Sequence, residues 1–307
     1  CNLLIGAILL LTTFPVFAEG KVVVVEGEAE ILAPPYMTPA EAKALAIEKA
    51  RVDALRKAFG VAIGVQNHII TTDDGDRSET QAFSLSQSET NGDWIDDIDI
   101  KDSVNHTEAG DYYKAHVKGH ARRIEHQPID IDVRLLCNGV DKDRDVLRAD
   151  EYHNGDDFYL YFNSPVGGWL TVYIADDDEA NTMQAILPYI GQKEKAYRIE
   201  PDKDYIFFSR PKAEESVLEY AGGMKMYARK RVDFNCVYVI FSPNEFSRSS
   251  TSENRSAEQS VDINGRKINL MPRETTYKKF HKWLGETRRK DSKMQVMKIP
   301  IKIKKIN

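Results

Sequence analysis

The chain has 307 residues, 42% of them apolar and 29% charged, with a formal net charge of −6. That length suits about two ordinary domains, and the composition belongs to folded protein rather than to a disordered chain. The acidic balance argues against a nucleic-acid partner, whose phosphates require a basic face.

The run Leu3–Ala18 is almost wholly apolar and uncharged. It is shorter than the roughly 20 residues of a bilayer span and reads as a signal-peptide core, with Val16 and Ala18 as the small residues before a cut. The expectation is export with cleavage after Ala18, a short basic segment preceding Cys1, and no transmembrane span in the mature chain; a retained anchor is the alternative. A lipidated Cys1 is set aside, because a lipoprotein cysteine follows its apolar run and this one precedes it.

A first α+β domain is expected over residues 19–126, one long helix on an antiparallel sheet. Val22–Ile31 reads as a strand. Thr38-Pro39-Ala40-Glu41 has the form of a capping box with proline at the first helical position, opening a helix to Phe59 before Gly60. Leu45, Val52, Leu55 and Phe59 share a stripe, widened by Ala46, Ala50, Ala54 and Ala58. Strands are then expected over Val65–Thr72, Ala82–Gln87, Trp94–Val104 and Tyr112–Ile124, separated by Asp/Asn/Gly turns. The order of elements, with Glu26–Ala29, Ala50–Leu55 and Tyr113–Arg122, resembles the N-terminal domain of flagellar assembly protein T and related small outer-membrane lipoproteins. That resemblance implies an accessory module of the cell envelope.

Residues 127–307 alternate short strands with turns: Ile129–Cys137, Asp157–Phe162, Trp169–Ala175, Tyr205–Ser209 and Cys236–Ser242. Such a series predicts a mainly-β sandwich. One late helix is expected over Thr276–Gly285, with Tyr277, Phe280 and Leu284 on one side. In the last strand Met297, Ile299, Ile301 and Ile303 oppose Lys298, Pro300, Lys302 and Lys304, the pattern of a guarded edge. Leu135–Gly139, Asn154–Pro165, Gly168–Leu170 with Tyr173, Leu187–Tyr189, Phe208-Ser209, Ile240–Phe246 and Phe280–Ile303 together resemble the domain-of-unknown-function family 4384. The resemblance implies an immunoglobulin-like sandwich of envelope and signalling proteins, and it brings no catalytic residue.

Candidate chemistry is sparse. Asp141–Asp145 opens like a calcium loop, but Val146 and Tyr152 stand where the tight-turn glycine and the bidentate glutamate belong. Asp176–Glu179 reads as a solvated turn. His116 and His120 share a strand face about 13 Å apart, too far to chelate one ion as a pair. No nucleophile elbow, zinc, phosphate-loop or dinucleotide motif is present, so no catalytic, cofactor or metal site is expected. Trp169 and Tyr173 either line a pocket or interface or belong to the sandwich core. Cys137 and Cys236 are either free thiols or a disulfide in an oxidising compartment. Arg229–Arg231 and Arg288–Lys290 are basic clusters, on a solvated face or against an anionic surface. The reading is a periplasmic or outer-membrane-associated, non-catalytic adaptor that binds an envelope protein; the alternative is a protein that binds or senses a small molecule or cell-wall glycan near Trp169.

Overall fold

In the computed structural model Thr38 caps the first helix as its sequence predicts: its Oγ1 accepts from the Glu41 amide at 3.3 Å, and its own amide donates to Glu41 Oε2 at 2.9 Å. The structure describes residues 21–33, 37–61, 64–65, 69–73, 78–82, 89–141, 150–176, 182–189, 192, 195–218, 221, 223–253, 259–263, 266–270 and 273–305. The signal-like run, the Ala82–Gln87 strand beyond Ala82, the calcium-like loop past Asp141 and the acidic run past Asp176 lie outside the described residues. The first half supplies β1 (Val22–Leu32), α1 (Pro39–Phe59), β2 (Gly64–Val65), β3 (Ile69–Asp73), β4 (Ser78–Ala82), β5 (Gly92–Thr107) and β6 (Gly110–Arg123). The second supplies β7 (Asp132–Cys137), β8 (Glu151–His153), β9 (Asp157–Asn163), β10 (Gly168–Asp176), β11 (Thr182–Leu187), β12 (Tyr197–Ile199), β13 (Tyr205–Phe207) and β14 (Met224–Lys225). There follow β15 (Val232–Ser242), β16 (Ser252–Glu253), β17 (Gln259–Ile263), β18 (Arg266–Leu270), β19 (Arg273–Thr276), α2 (Tyr277–Lys290) and β20 (Gln295–Lys304).

In the first unit an antiparallel sheet of order β1-β6-β5 carries α1 on one face. The helix buries Ala42, Ala46, Ala50 and Ala54, a row four residues apart, against Ala115, Val117 and Ala121 of β6. These small side chains let the backbones approach so closely that a Cβ on Gly27 of β1 would overlap the backbone of Ala50 and Ala54. Ala58, expected on this stripe, is exposed, because a row of every fourth residue drifts by about 40° per step around a helix of 3.6 residues per turn, and Leu55 and Phe59 hold the last turn to the sheet instead.

The second unit is sandwich-like. A large sheet runs β16-β19-β11-β10-β15-β20-β2, with β12 beside β10 and β8 beside β20. A smaller sheet has β9 at its centre, flanked by β7 on one edge and by β13 and β14 on the other. Between the sheets lie Phe158, Leu160 and Phe162 of β9, Val237, Val239 and Phe241 of β15, and Ile299, Ile301 and Ile303 of β20. On the opposite face of the large sheet α2 seats Phe280 and Leu284 against Tyr173, Tyr238 and Ile240. Full burial of a side chain such as Phe280 contributes about 1.5–3 kcal/mol. The helix is longer than the sequence suggests, running to Lys290, because its fourth turn buries Arg288 as well.

Two expectations are corrected. The last strand is not an edge: β20 lies between β15 on one side and β2 and β8 on the other. Its lysines are tolerated inside because each meets a carboxylate, Lys298 with Glu89 and both Lys302 and Lys304 with Glu151. Pro300, which has no N–H to donate, falls in the gap between the residues paired with β2 and those paired with β8. Second, among the described residues the chain between α1 and β5 adds no strand to the first sheet: β2 runs parallel to β20 of the second unit, and β3 and β4 form a separate hairpin. Gly64 and Val65 thus pair with the second unit although they precede β5 of the first in sequence.

Candidate functional site

Among the described residues the first sheet is covered on one face only, by α1. On its open face β6 presents alternating His116, Lys118, His120 and Arg122 between acidic residues of both neighbours. Lys118 contacts Glu26 of β1 at 2.6 Å, His120 Nδ1 lies 2.7 Å from Asp96 of β5, and Arg122 lies 3.1 Å from Asp93. The hydrogen bond from Lys118 holds the Glu26 carboxyl below its ordinary pKa. Such cross-strand pairs fix the register of a solvated face. His116 and His120 belong to this ladder.

Among the described residues, nine large apolar side chains are exposed, and seven of them lie on the two outer strands of this sheet: Val22, Val24 and Leu32 on β1, and Ile95, Ile98, Ile100 and Val104 on β5. α1 lies mainly over β1 and β6, leaving much of β5 uncovered. Two irregularities in the β5–β6 register, between Trp94 and Asp96 and between Asp97 and Asp99, place Ile95 and Ile98 as extra residues of the bulged strand. Each outer strand is paired along one side only among the described residues. A long edge with exposed apolar side chains is a template for another protein segment.

A second cluster joins the two units and is sealed from solvent. Glu89, from the connector before β5, accepts from the Tyr238 hydroxyl at 2.8 Å and meets Lys298 Nζ at 3.1 Å. The Lys298 ammonium lies 5.6 Å from the centre of the Tyr238 ring. Beside them Arg288 donates to the Thr90 carbonyl at 3.1 Å, and Arg289 meets Asp93 at 2.8 Å. The three groups Glu89, Tyr238 and Lys298 satisfy one another where water cannot reach, in a contact between the two units.

The structure disperses the residues singled out from sequence. Tyr173 is fully buried under α2, 4.9 Å from Phe280 in an edge-to-face contact, and its hydroxyl accepts from the Ser249 amide at 3.0 Å. Trp169, on the same strand, is half-buried against the same cluster. Tyr173 is core, and neither it nor Trp169 lines the shallow cleft that Thr182, Ser250, Glu274 and Lys279 border. Cys137 and Cys236 are both free thiols. Cys236 faces α2 with Tyr238 and Ile240, whereas Cys137 packs against the core on the other side of the large sheet. A disulfide needs Cα atoms within about 7 Å, and stacked sheets lie about 10 Å apart. The basic cluster at Arg288–Lys290 is no uniform solvated face, since Arg288 is buried. Arg229 and Lys230 form a turn whose amides donate to the Asp233 carboxylate.

Among the described residues no group of three or more His, Cys, Asp or Glu could hold a metal ion, and no helix is long and apolar enough to cross a membrane. Sequence reasoning missed Glu89 and the exposed apolar set on β5. The second was signalled by Ile95, Ile98 and Ile100 recurring among five aspartates, out of phase with strict alternation. Compared with known proteins, the chain matches no family model, no curated protein and no solved structure.

Proposed function

We propose that the chain is an exported, non-catalytic adaptor of the bacterial cell envelope that binds a protein partner along the open sheet of its first unit. The observation that carries this reading is the concentration of exposed apolar side chains, seven of the nine among the described residues, on β1 and β5, the two outer strands of that sheet. The second unit, an immunoglobulin-like sandwich by its resemblance to the domain-of-unknown-function family 4384, then serves as the base on which the sheet is mounted. The buried joint at Glu89 and Lys298 would keep that base in fixed orientation, so that a partner is presented rather than tethered. The resemblance of the first unit to envelope accessory modules and the signal-like Leu3–Ala18 run support the same compartment.

The test is photo-crosslinking in living cells with a benzophenone side chain at Ile98 or Val24 of the tagged full-length chain, followed by mass-spectrometric identification. A saturable envelope protein captured at both positions, and lost from an Ile100→Lys variant that folds normally, is the expected result. Crosslinks only to abundant bystanders, unchanged in that variant, overturn the reading.

A further inference from the structure

The two outer strands of the first sheet differ on the side that faces α1. On β1 that side is closed, with Val25, Gly27 and Ile31 buried. On β5 it is not. Ile100, Asp102 and Val104 pair directly with Val117, Ala115 and Tyr113, which pack under α1, and directly paired side chains share a face. Ile100 and Val104 are nevertheless 36% and 42% exposed, since α1 leaves much of β5 uncovered. Lys43 of α1 reaches across to Asp102 Oδ1 at 2.9 Å, and the Asp102 side chain stays 33% exposed.

Two further observations bear on what joins this strand. Bulges are one of the devices that keep an edge from pairing, and both bulges of β5 lie before Asp99. From Asp99 to Thr107 the ladder with β6 runs unbroken over nine residues, about 30 Å of regular edge, and among the described residues nothing pairs with its outer side. The second observation is charge. β5 holds five aspartates and one lysine, and residues 19–126 hold 20 acidic against 12 basic side chains. A second copy of the chain would bring the same acidic excess to the contact and is repelled, whereas a basic segment is drawn in.

We propose that β5 takes up an extended segment of the partner protein as a fourth strand, in the order β1-β6-β5-partner, and that this segment carries a lysine or arginine between two apolar residues at two-residue spacing. Main-chain hydrogen bonds along Asp99–Thr107 hold the strand, and alternate side chains select it. On the α1 side the apolar pair packs beside Ile100 and Val104, and the cation between them meets Asp102. A carboxylate accepts about four hydrogen bonds, so Asp102 serves Lys43 and the incoming cation together. The proposal rests on the adaptor reading and specifies the form and charge of the partner segment.

The test places a benzophenone side chain at Val104 of the tagged full-length chain in living cells, beside the Ile98 and Val24 positions, and sequences the joined segment by mass spectrometry. The protein captured at Ile98 should also be captured at Val104, through a segment with lysine or arginine flanked two positions away on each side by apolar residues. Capture at Val104 should fall about tenfold in Asp99→Asn with Asp102→Asn and stay within about twofold in Glu28→Gln with Glu30→Gln on β1, melting temperatures confirming that both variants fold. Capture at Ile98 and Val24 but not at Val104 overturns the added strand and leaves the adaptor reading standing. A joined segment without a basic residue, or one from a second copy of the chain, does the same. Unchanged capture in the aspartate variant, or an equal loss in the glutamate variant, overturns the role given to Asp102. No capture at any of the three positions removes the adaptor reading and the added strand with it.

Discussion

Lys298 on the last strand and Glu89 in the connector before β5 lie 3.1 Å apart with side chains 3% and 0% exposed, a contact between residues 209 positions apart in sequence that ties the two units together. Taking two charges out of water is costly, and the pair persists because the Tyr238 hydroxyl also serves Glu89. Removing one partner leaves the other buried and uncompensated. Glu89→Ala is expected to lower the stability of the chain by about 3–5 kcal/mol, read from urea unfolding. Replacing both, as Glu89→Leu with Lys298→Met, should recover most of that loss. A double variant no more stable than the single one would show that the cost lies in packing and not in the unpaired charge.

Much of the first unit is legible in the sequence because its signals are local. The capping box at Thr38 and Glu41 and the alternation through Tyr113, Ala115 and Val117 act over a few residues, and the helix and β6 follow from them. The last strand misleads for the opposite reason. Lysine and proline on one face describe an edge unless carboxylates from far along the chain come to meet the lysines, and neither Glu89 nor Glu151 announces itself as that partner. Short strands such as β11 and β19 were missed because their alternation is carried by Met183, Ala185, Arg273 and Thr275, where small or polar residues stand on the buried side. The open sheet was half legible: its charged ladder shows in the alternation of β6, but Ile95 and Ile98 enter through bulges that break the two-residue period.

The same joint makes stability depend on pH through His281. The residue as a whole is half-buried, but its Nε2 is out of contact with water. Burial lowers its pKa to about 4; the Glu89 carboxylate opposes that shift and the Lys298 ammonium adds to it. The folded protein therefore holds fewer protons on this group than the unfolded chain between about pH 4 and the ordinary value of 6.5. Its contribution is complete above that window and is lost as pH falls through it. Melting temperatures measured from pH 7 to pH 4.5 should fall more steeply for the unaltered chain than for His281→Gln. Parallel curves would remove His281 from the account.

Gly27 on β1 is fixed by the helix that lies over it. A methyl group there would overlap the Ala50 carbonyl oxygen and the Ala54 amide, which are backbone atoms and cannot swing aside. Gly27→Ala should cost about 1–3 kcal/mol as α1 is forced away from the sheet. Gly223→Ala is the control: its added Cβ would meet nothing within 4 Å, and the change should stay within about 0.5 kcal/mol. Equal urea midpoints for the two variants would mean that α1 does not hold this close contact in solution.

The two cysteines make a prediction about thiol chemistry. Burial is the main cause that pushes the Cys137 thiol up to about 12, and its contact with Asp156 at 3.4 Å adds to it, so little thiolate exists at neutral pH. Cys236 is 2% exposed among Tyr238 and Ile240. Cys137 is short of thiolate and Cys236 of access, and the sheet plane separates them. Alkylation of the chain from Glu19 onward should be slow at both positions in the native protein at pH 8. In denaturant it should reach two equivalents whether or not a reductant is added first. Labelling that appears only after reduction would mean that the two strands approach each other before the sandwich closes and form a bridge which the folded geometry does not favour.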